Sequence, residues 1–254
     1  MKTFSLSGRA ALVTGSSQGI GLAIAAGLRE SGALVVHHGH QDRAPECVPS
    51  DAPYVCADLL DKEAPQQLVD AAFSEAPQLD ALVCNAGSFF DVPPLEMTPE
   101  KWERTFQLNV SSAFFTAQAF AKRLVEESRG GTIVLTTSTN GFQAELDSVA
   151  YDSSKGALVM MIRSLAVSLA EHGIRVNGIA PGLIRTPLTN EWMTTRAHDL
   201  IPHYERGIPL GRIGKPEDIA GAVAFLCSDA ASYITGEIIR IDGGLTASQI
   251  GRLA

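Results

Sequence analysis

The sequence predicts an α/β fold, in which helices cover both faces of one doubly wound parallel sheet. Short apolar runs alternate along the chain with longer stretches whose apolar residues recur every three or four positions. Aliphatic residues and alanine dominate while aromatic residues make up only 6%, a balance typical of parallel strands buried on both faces. No internal repeat or interdomain linker divides the 254 residues. A single domain over residues 1–254 is therefore predicted.

The strands and helices follow from these patterns in chain order. Apolar runs bounded by glycine, proline or polar residues predict strands at Arg9–Thr14, Ala33–His38, Tyr54–Ala57, Leu79–Cys84, Gly131–Thr137, Gly173–Ile179 and Glu237–Ile241. Helical periodicity predicts helices at Leu22–Ser31, Lys62–Ala76, Pro99–Glu127, Tyr151–Ala170 and Pro216–Ser228. Because strands and helices alternate, all strands can run in one direction, joined by right-handed crossovers.

Composition argues against several classes of protein. The net charge of −8 disfavours a nucleic-acid partner, which requires a basic surface. No apolar run reaches the ~18 residues of a membrane span, and the N-terminus has no apolar signal-peptide core. The four cysteines, Cys47, Cys56, Cys84 and Cys227, show no CxxC spacing. We therefore expect reduced thiols in a cytoplasmic protein rather than disulfides or a metal site.

A glycine-rich turn follows the first predicted strand and leads into the first predicted helix. It reads Gly15-Ser16-Ser17-Gln18-Gly19-Ile20-Gly21. Strand, glycine turn and helix together open a dinucleotide-binding, Rossmann-type unit. Glycines let the backbone approach a pyrophosphate, and the helix N-terminus supplies N–H groups and a partial positive charge. A plain tight turn is the alternative interpretation.

The second predicted strand bears on the choice of coenzyme. NAD-binding proteins carry an acid near its end that binds the ribose 2′-hydroxyl, whereas this chain has Gly39 and His40 and reaches its first acid only at Asp42. A 2′-phosphate is thus not repelled, and His40 and Arg43 could attract it. The pattern favours NADP and leaves NAD open. Asp58, after the third strand, is expected at the adenine edge.

The histidines at positions 37, 38 and 40 raise the question of a metal site. Neighbours on a strand face opposite sides of the sheet, so at most two of these side chains converge. No cysteine or carboxylate is spaced to complete a ligand set. No metal site is predicted.

Tyr151 and Lys155 are the strongest candidates for chemistry. They lie four positions apart on a predicted helix and therefore share a face. An adjacent ammonium is expected to lower the pKa of the phenol from ~10 toward neutrality, so that it can exchange a proton with a substrate oxygen. Ser138, at the end of the fifth strand, could hydrogen-bond the same oxygen, although the neighbouring Thr136, Thr137 and Thr139 could take that role. A half-buried Tyr beside a solvated Lys is the structural alternative.

The segment Leu188–Leu210 breaks the alternation of strands and helices. It lies between Pro187 and Pro209, beyond the end of the sixth strand, where a lid over a substrate is expected at about 188–210. A surface insertion with a local helix is the alternative. Its notable side chains are Trp192, Met193, Arg196, His198, His203, Tyr204 and Arg206. The basic ones, with Arg185, could attract an acidic or hydroxylated substrate or could simply be surface charges.

Taken together, these motifs resemble the short-chain dehydrogenase/reductase family over essentially the whole chain. The matching residues are Thr14-Gly15 with Gly19-Ile20-Gly21; Asn85-Ala86-Gly87; the tetrad Asn109, Ser138, Tyr151 and Lys155; Asn177 with Pro181-Gly182 and Thr186; Gly214 with Pro216-Glu217-Asp218; Ser228-Asp229; Thr235-Gly236; and Asp242-Gly243-Gly244. Two departures are Cys84, where a second Asn is usual, and Gln18, where NADP-using relatives often carry Arg or Lys.

The resemblance implies a role for each matched residue. Tyr151 would be the acid/base, Lys155 would lower its pKa and bind the ribose, Ser138 would orient the substrate oxygen, and Asn109 would hold a water. The coenzyme, NADP or NAD, would be lined by Gly15, Ser17, Gln18, Gly19, Ile20, Gly21, His40, Asp58, Asn85, Ala86, Gly87, Tyr151, Lys155, Pro181, Gly182, Ile184 and Thr186. The family further implies a homotetramer that pairs the helices Pro99–Glu127 and Tyr151–Ala170 and, at a second interface, the last strand.

The leading hypothesis is an NAD(P)-dependent oxidoreductase that interconverts a secondary alcohol and a ketone. Its small-molecule substrate would be a polyol or sugar, or of the 3-oxoacyl type. His172 stands where carrier-protein reductases tend to show Arg, which favours the small substrates. A non-catalytic dinucleotide-sensing protein is the alternative. A methyltransferase on a similar sheet is disfavoured, because Ser138, Tyr151 and Lys155 would have no role in it.

Overall fold

The computed structural model describes residues 4–195 and 198–249, and these form one seven-stranded sheet. Every paired strand runs parallel to its neighbour, in the order β3-β2-β1-β4-β5-β6-β7. The strands are β1 (Ala10–Val13), β2 (Leu34–Gly39), β3 (Tyr54–Cys56), β4 (Ala81–Cys84), β5 (Gly131–Thr136), β6 (Ile174–Pro181) and β7 (Ile238–Ile241). The predicted doubly wound parallel sheet is confirmed.

Helices cover both faces of this sheet. They are α1 (Gly19–Glu30), α2 (Ala64–Glu75), α3 (Pro99–Phe106), α4 (Ser112–Glu126), α5 (Val149–Leu169), α6 (Pro187–Thr195), α7 (Ile201–Gly207) and α8 (Glu217–Cys227). One core joins α2, α4 and α5 to the sheet, and the other joins α1 and α8 to its opposite face. Among the described helices, none is both long and apolar enough to cross a membrane.

Alternation along the strands divides their side chains between the two cores. Leu12 of β1 belongs to the core under α2 and α4, whereas Ala11 and Val13 belong to the core under α1. The period of two that places successive side chains on opposite faces explains this division. Both faces are apolar, as the continuous hydrophobic runs of the sequence predict.

The one long helix predicted over Pro99–Glu127 is wrong as a continuous α-helix. A π-helical turn, Gln107–Ser111, separates α3 from α4. Its central residue, Asn109, is buried and bonded to the backbone of Ser88. A side chain anchored outside the helix in this way accommodates one extra residue in the turn, and such bulges occur frequently at functional sites.

The segment predicted as a lid contains two helices, where the sequence alternative is a surface insertion with one local helix. Helices α6 and α7 are joined through a short 3₁₀ turn, His198–Leu200. Arg196, one of the basic residues of the prediction, lies outside the described residues.

The sheet order reverses between β1 and β4, which are neighbours although β2 and β3 intervene in the chain. In parallel sheets of this kind, ligands bind at the carboxyl ends of the strands beside such a reversal. The residues that follow β1, β4, β5 and β6 all emerge at this edge. It therefore brings together the glycine turn, Asn85-Ala86-Gly87, Ser138 and the segment after Pro181.

Candidate active site and coenzyme cleft

The glycine turn after β1 is packed against the segment after β4. A Cβ on Gly15 would lie 2.9 Å from the Cα of Ala86, and one on Gly21 would lie 2.2 Å from the carbonyl oxygen of Gly15. Gly15 and Gly19 also have positive φ angles of 63° and 56°, which L-residues with a side chain rarely adopt. Glycine is thus required at position 15 by both space and backbone conformation, at position 21 by space and at position 19 by backbone conformation.

Hydrogen bonds to Thr14 hold this contact in place. The Thr14 hydroxyl accepts from the backbone N–H groups of Asn85 and Ala86 at 2.9 and 3.0 Å. The Asn85 amide in turn donates to the carbonyl oxygens of Thr14 and Gly15 at 3.2 and 3.3 Å. The predicted residues Gly15, Asn85 and Ala86 therefore lie together at one side of the cleft.

The first turn of α1 is suited to a phosphate group. The helix begins at Gly19, after Gln18 in an extended conformation. Gln18 makes no side-chain capping bond, and no acidic residue lies in the first turn. The N–H groups and the partial positive charge at this end remain available for an anion. A Cβ on Gly19 would lie only 3.4 Å from the Cβ of Thr186, so the segment after β6 reaches this turn.

The geometry of the site therefore suits a dinucleotide, independently of any sequence motif. Gly15 and Gly21 stand where a Cβ would meet neighbouring backbone, and a helix N-terminus lies beside them. Ser17, Ile20 and Gly87 belong to the same two segments. Gly87 approaches two residues of the predicted tetrad, because a Cβ there would lie 3.0 Å from Asn109 Oδ1 and 3.6 Å from Lys155 Nζ.

The predicted adenosine end lies beyond β2 and β3. Asp58 is exposed and lines a cavity of about 270 Å³, together with Ala57, Asp61 and Gln67. His40 is exposed beyond Gly39. The space that a Cβ on Gly39 would enter is filled by the Tyr54 hydroxyl and the Gln41 side chain, at 2.6 and 2.8 Å.

Three other predicted contacts sit at the end of β6. Pro181 and Ile184 are buried, and Ile184 pairs with Gly214. A Cβ on Gly182 would lie 2.8 Å from the Cα of Asp242. These residues support the segment that carries Thr186, and their contacts with a coenzyme stay predictions.

The structure brings Ser138, Tyr151 and Lys155 together. Tyr151 lies in the first turn of α5 and Lys155 one turn later, with its Nζ 5.4 Å from the centre of the Tyr151 ring. The Ser138 hydroxyl lies close enough to the phenol to lower the pKa of Tyr151. Lys155 is 4% exposed, and its Nζ donates to the carbonyl oxygen of Thr136 at 3.0 Å. The shared helix face predicted from the spacing is confirmed.

The electrostatics of the pair differ from the prediction. Burial raises the pKa of Tyr151 to about 12; the hydrogen bond from Ser138 lowers it, and the carboxylates of Asp152, Glu145 and Asp91 raise it further. Burial also lowers the pKa of Lys155 to about 8. The expectation that the phenol pKa lies below its usual value is therefore wrong for this structure, because burial outweighs the lowering effect of Ser138.

Asn109 ties the segment after β4 to α5. Its amide nitrogen donates to the Ser88 carbonyl at 2.9 Å and to the Ser154 hydroxyl at 3.0 Å, and its oxygen accepts from the Ser88 N–H at 2.9 Å. Ser154 then donates to the Tyr151 carbonyl at 2.7 Å. Asn109 thus positions the turn that bears Tyr151. Its predicted role in holding a water stays a prediction.

Sequence reasoning missed Asp91, whose carboxylate caps the start of α5. It accepts from the N–H groups of Ala150 and Tyr151 at 2.9 and 3.3 Å. Phe89 packs its ring edge-on against Tyr151, with the centroids 6.2 Å apart. Both lie in the loop after β4, about sixty residues before Tyr151, so no local pattern signals either contact.

The segment predicted as a lid contacts the loop that joins Ser138 to Tyr151. The Tyr204 hydroxyl of α7 donates a short hydrogen bond to the Glu145 carboxylate, and Trp192 of α6 packs on Tyr204 with ring centroids 5.9 Å apart. Glu145 also accepts from the Asn140 amide at 3.2 Å. Arg185, His203 and Arg206 are exposed.

Comparison with known proteins gives full-length matches. A family profile described as "Enoyl-(Acyl carrier protein) reductase" matches residues 15–246. The 3-oxoacyl-(acyl-carrier-protein) reductase FabG of Aquifex aeolicus is 35% identical over 94% of this chain and 98% of its own length. The L-rhamnose 1-dehydrogenase (NAD(P)(+)) of a Sphingomonas species is 35% identical over 94% and 97%. The crystal structure of a gluconate 5-dehydrogenase from Burkholderia cenocepacia, in complex with NADP and tartrate, superposes with a TM-score of 0.91 at 29% identity, over 97% of this chain and 98% of that one.

Proposed function

The chain belongs to the short-chain dehydrogenase/reductase family, and from this premise we propose that it is an NAD(P)-dependent oxidoreductase that interconverts a secondary alcohol and a ketone. The observation that carries the proposal is the contact among Ser138, Tyr151 and Lys155 beside the glycine turn. A protein that only binds a dinucleotide has no need of a buried lysine next to a reactive phenol.

The chain's own residues would hold the coenzyme and handle the proton. The turn from Gly15 to Gly21 would receive the pyrophosphate, and Lys155 would reach the nicotinamide ribose. When bound, the nicotinamide supplies hydride transfer to or from the carbinol carbon. Tyr151 exchanges the proton at the substrate oxygen, which the Ser138 hydroxyl orients.

The pKa of the phenol bears on the direction of proton transfer. A phenol whose pKa burial raises to about 12 carries its proton at neutral pH and can donate it to a ketone oxygen. To accept a proton from an alcohol, the same phenol must first ionise. A charged Lys155 beside it would stabilise the phenolate, so the lysine serves the oxidation direction most directly.

We also propose that NADP is preferred to NAD. Support comes from Gly39, where an acid that would bind the 2′-hydroxyl and repel a 2′-phosphate is absent, and from the exposed His40 and Arg43 that follow. Initial rates with each coenzyme over a concentration series test this. A kcat/KM at least about tenfold higher for NADP is expected, and the reverse ratio would contradict it.

For the substrate, we propose a neutral hydroxylated molecule of the sugar or polyol type. Asp91, Glu145 and Asp152 lie around Tyr151 and raise its pKa, and among the described residues none of the three forms an ion pair with Lys or Arg. Carboxylates accept hydrogen bonds from substrate hydroxyls and repel an anionic substrate. Matched pairs, such as an alditol and the aldonate of equal length, test this preference, and faster turnover of the acid would contradict it.

Replacing Tyr151 by Phe tests the activity itself. The change removes one hydroxyl from the site, so we expect kcat to fall by at least about 10³-fold while the affinity for reduced coenzyme changes less than about twofold. Tyr233→Phe is the matched control, since that side chain is fully exposed.

Two results would contradict the assignment. Unchanged turnover in Tyr151→Phe would remove the phenol from the mechanism. A wild-type protein that binds reduced coenzyme but turns over no alcohol or ketone in a broad panel would favour the non-catalytic, dinucleotide-sensing alternative.

We further propose a homotetramer in which α4 and α5 pair with their counterparts. Phe115 on α4 and Met160 and Val167 on α5 are large apolar side chains exposed to solvent in the single chain. Met160 and Val167 are seven positions apart on one helix and so lie on the same face. An apolar face of this kind is typical of a subunit interface.

A further inference from the structure

Two adjacent histidines at the end of β2 have no part in the proposed chemistry, although both are buried. His37 is 1% exposed and His38 is 3% exposed. Among the described residues, no group of three His, Cys, Asp or Glu side chains could hold a metal ion. Their contacts lead instead to the glycine turn, since His37 Nδ1 lies 3.3 Å from the Ser16 carbonyl oxygen and His38 bonds to Gly15.

His38 joins two segments of the coenzyme cleft through its ring. Its Nδ1 accepts from the Gly15 N–H at 3.0 Å, and its Nε2 lies 3.1 Å from the carbonyl oxygen of Ala57. A backbone N–H can only donate and a carbonyl can only accept. The ring is therefore neutral, with its proton on Nε2.

The backbone of His38 strengthens the same connection. Its N–H donates to the Ser16 hydroxyl at 3.0 Å, its carbonyl accepts from the Ser16 N–H at 2.9 Å, and the Ser16 hydroxyl donates to Val13 at 2.7 Å. Ser16 is fully buried. These bonds fix Ser16, the residue next to Gly15, against β2. Gly15 itself is held by a separate bond, which its N–H donates to the His38 ring.

We propose that His38 is a positioning residue for the coenzyme, which holds the glycine turn in its binding conformation by accepting the hydrogen bond of Gly15 and donating to Ala57. The inference rests on the proposed use of a dinucleotide. Gly15 belongs to the turn that would receive the pyrophosphate, and Ala57 immediately precedes Asp58 at the adenosine cavity. One neutral ring therefore sets the spacing between the two parts of the site.

Gly15 has little freedom to compensate for the loss of this bond. It is enclosed between His38 and Ala86, and its carbonyl oxygen accepts from Asn85 at 3.3 Å. Without the imidazole acceptor, the Gly15 N–H would be left without a partner in a water-poor site, which is unfavourable. The turn would move to satisfy it, and the phosphate-binding N–H groups would move with it.

A matched pair of substitutions separates positioning from general stability. The side-chain oxygen of Asn falls near the place of Nδ1, so His38→Asn keeps an acceptor for Gly15. The amide nitrogen of Gln falls near the place of Nε2, so His38→Gln keeps the donor to Ala57 but loses the acceptor for Gly15. Both remove the ring. His38→Asn loses the donor to Ala57 and His38→Gln loses the acceptor for Gly15, so the comparison shows which of the two contacts positions the turn.

The measurement is titration of each folded protein with NADPH, followed by nicotinamide fluorescence, with kcat and the thermal midpoint determined in parallel. We expect His38→Gln to raise the Kd for NADPH about three- to tenfold and His38→Asn to change it less than about twofold. The value of kcat at saturating coenzyme should stay within about twofold for both, because His38 does not contact the reacting atoms.

Equal affinities in wild type and both variants, or equal losses that follow the thermal midpoints, would overturn the positioning role. A wild-type protein that does not bind NADPH would overturn the proposed function as well, which is a distinguishable result. If either variant fails to fold, ¹⁵N NMR of the wild type decides. A neutral His38 protonated at Nε2 supports the inference, and a ring protonated at Nδ1 overturns it.

Discussion

At the scale of single residues, burial governs the ionisable groups of this site. Lys155, Tyr151 and His38 all have pKa values displaced toward the neutral form, with burial as the largest cause. Each of these side chains has a polar partner inside the protein that replaces part of its lost hydration. Lys155 donates to the Thr136 carbonyl, Tyr151 interacts with Ser138, and the His38 ring accepts from the Gly15 N–H. The spacing of Tyr151 and Lys155 could be predicted from the sequence because it depends only on the helical period. The direction of the phenol pKa could not, because it depends first on burial of the ring in the folded protein, where Phe89 from a distant loop packs against it.

His38 makes the stability of the protein depend on acidity. Burial lowers its pKa to about 4, with smaller contributions from the Ala57 carbonyl and Asp58, which raise it, and from His40, which lowers it. A histidine in the unfolded chain titrates near 6.5. The contribution of the neutral His38 ring to the free energy of unfolding is thus fully present above pH ~6.5. It is lost as the pH falls toward about 4.

Urea unfolding at several pH values between 7 and 4 measures this effect. We expect the free energy of unfolding of the wild type to fall by up to about 3 kcal/mol over that range because of His38. His38→Asn should flatten the curve, with a remaining slope from His37, whose pKa burial also lowers. Parallel curves for the two proteins would contradict the assignment.

At the scale of elements, a side-chain hydrogen bond connects the predicted lid to the loop between Ser138 and Tyr151. Tyr204 of α7 donates to Glu145 in the loop between Ser138 and Tyr151. We expect Tyr204→Phe to raise the KM for the substrate about tenfold, since a charge-assisted hydrogen bond is lost. The Kd for coenzyme should stay constant, because the contact lies at the substrate end of the cleft.

Steady-state kinetics at saturating coenzyme, with Tyr233→Phe as the control, measure the effect. A Tyr204→Phe enzyme with wild-type KM would show that the lid does not depend on this contact.

Most elements could be predicted from the sequence, because buried parallel strands are continuous apolar runs and their covering helices are amphipathic. The π-helical turn at Gln107–Ser111 could not. Its central Asn109 bonds to Ser88 and Ser154, which are 21 and 45 residues away. The sequence marks Asn109 only as a polar residue within an apolar helical pattern. Likewise, the flanking prolines and the mixed polarity mark the segment from Leu188 to Leu210 as a break in the alternation of strands and helices. They do not predict the two helices that it contains.

At the scale of the whole molecule, the apolar face of α5 predicts association. Light scattering should give the mass of four chains. Val167→Glu should shift the protein toward smaller species, because the residue is 81% exposed in the single chain and would place a charge within an apolar interface. Leu95→Glu is the matched control, since Leu95 is fully exposed outside α4 and α5. A wild type that is monomeric at micromolar concentration would contradict the proposal.

The overall architecture could be predicted because alternation of strands and helices leaves few topologies, and the glycine turn places the site at the reversal between β1 and β4. Assembly could be predicted only through the family resemblance, since exposure of Met160 and Val167 is a property of the folded chain. The cytoplasmic location stays a prediction from cysteine spacing.

The extra residue in the turn Gln107–Ser111 decides which side of α4 meets the sheet. Each residue of an α-helix advances the chain by about 100° around its axis. Deleting one residue there would make the helix regular but would rotate everything after it by that angle, carrying the buried Phe120 and Leu124 off the sheet. Most surface loops tolerate the loss of one residue. The same loss in this turn would rotate the apolar side of α4 away from the sheet.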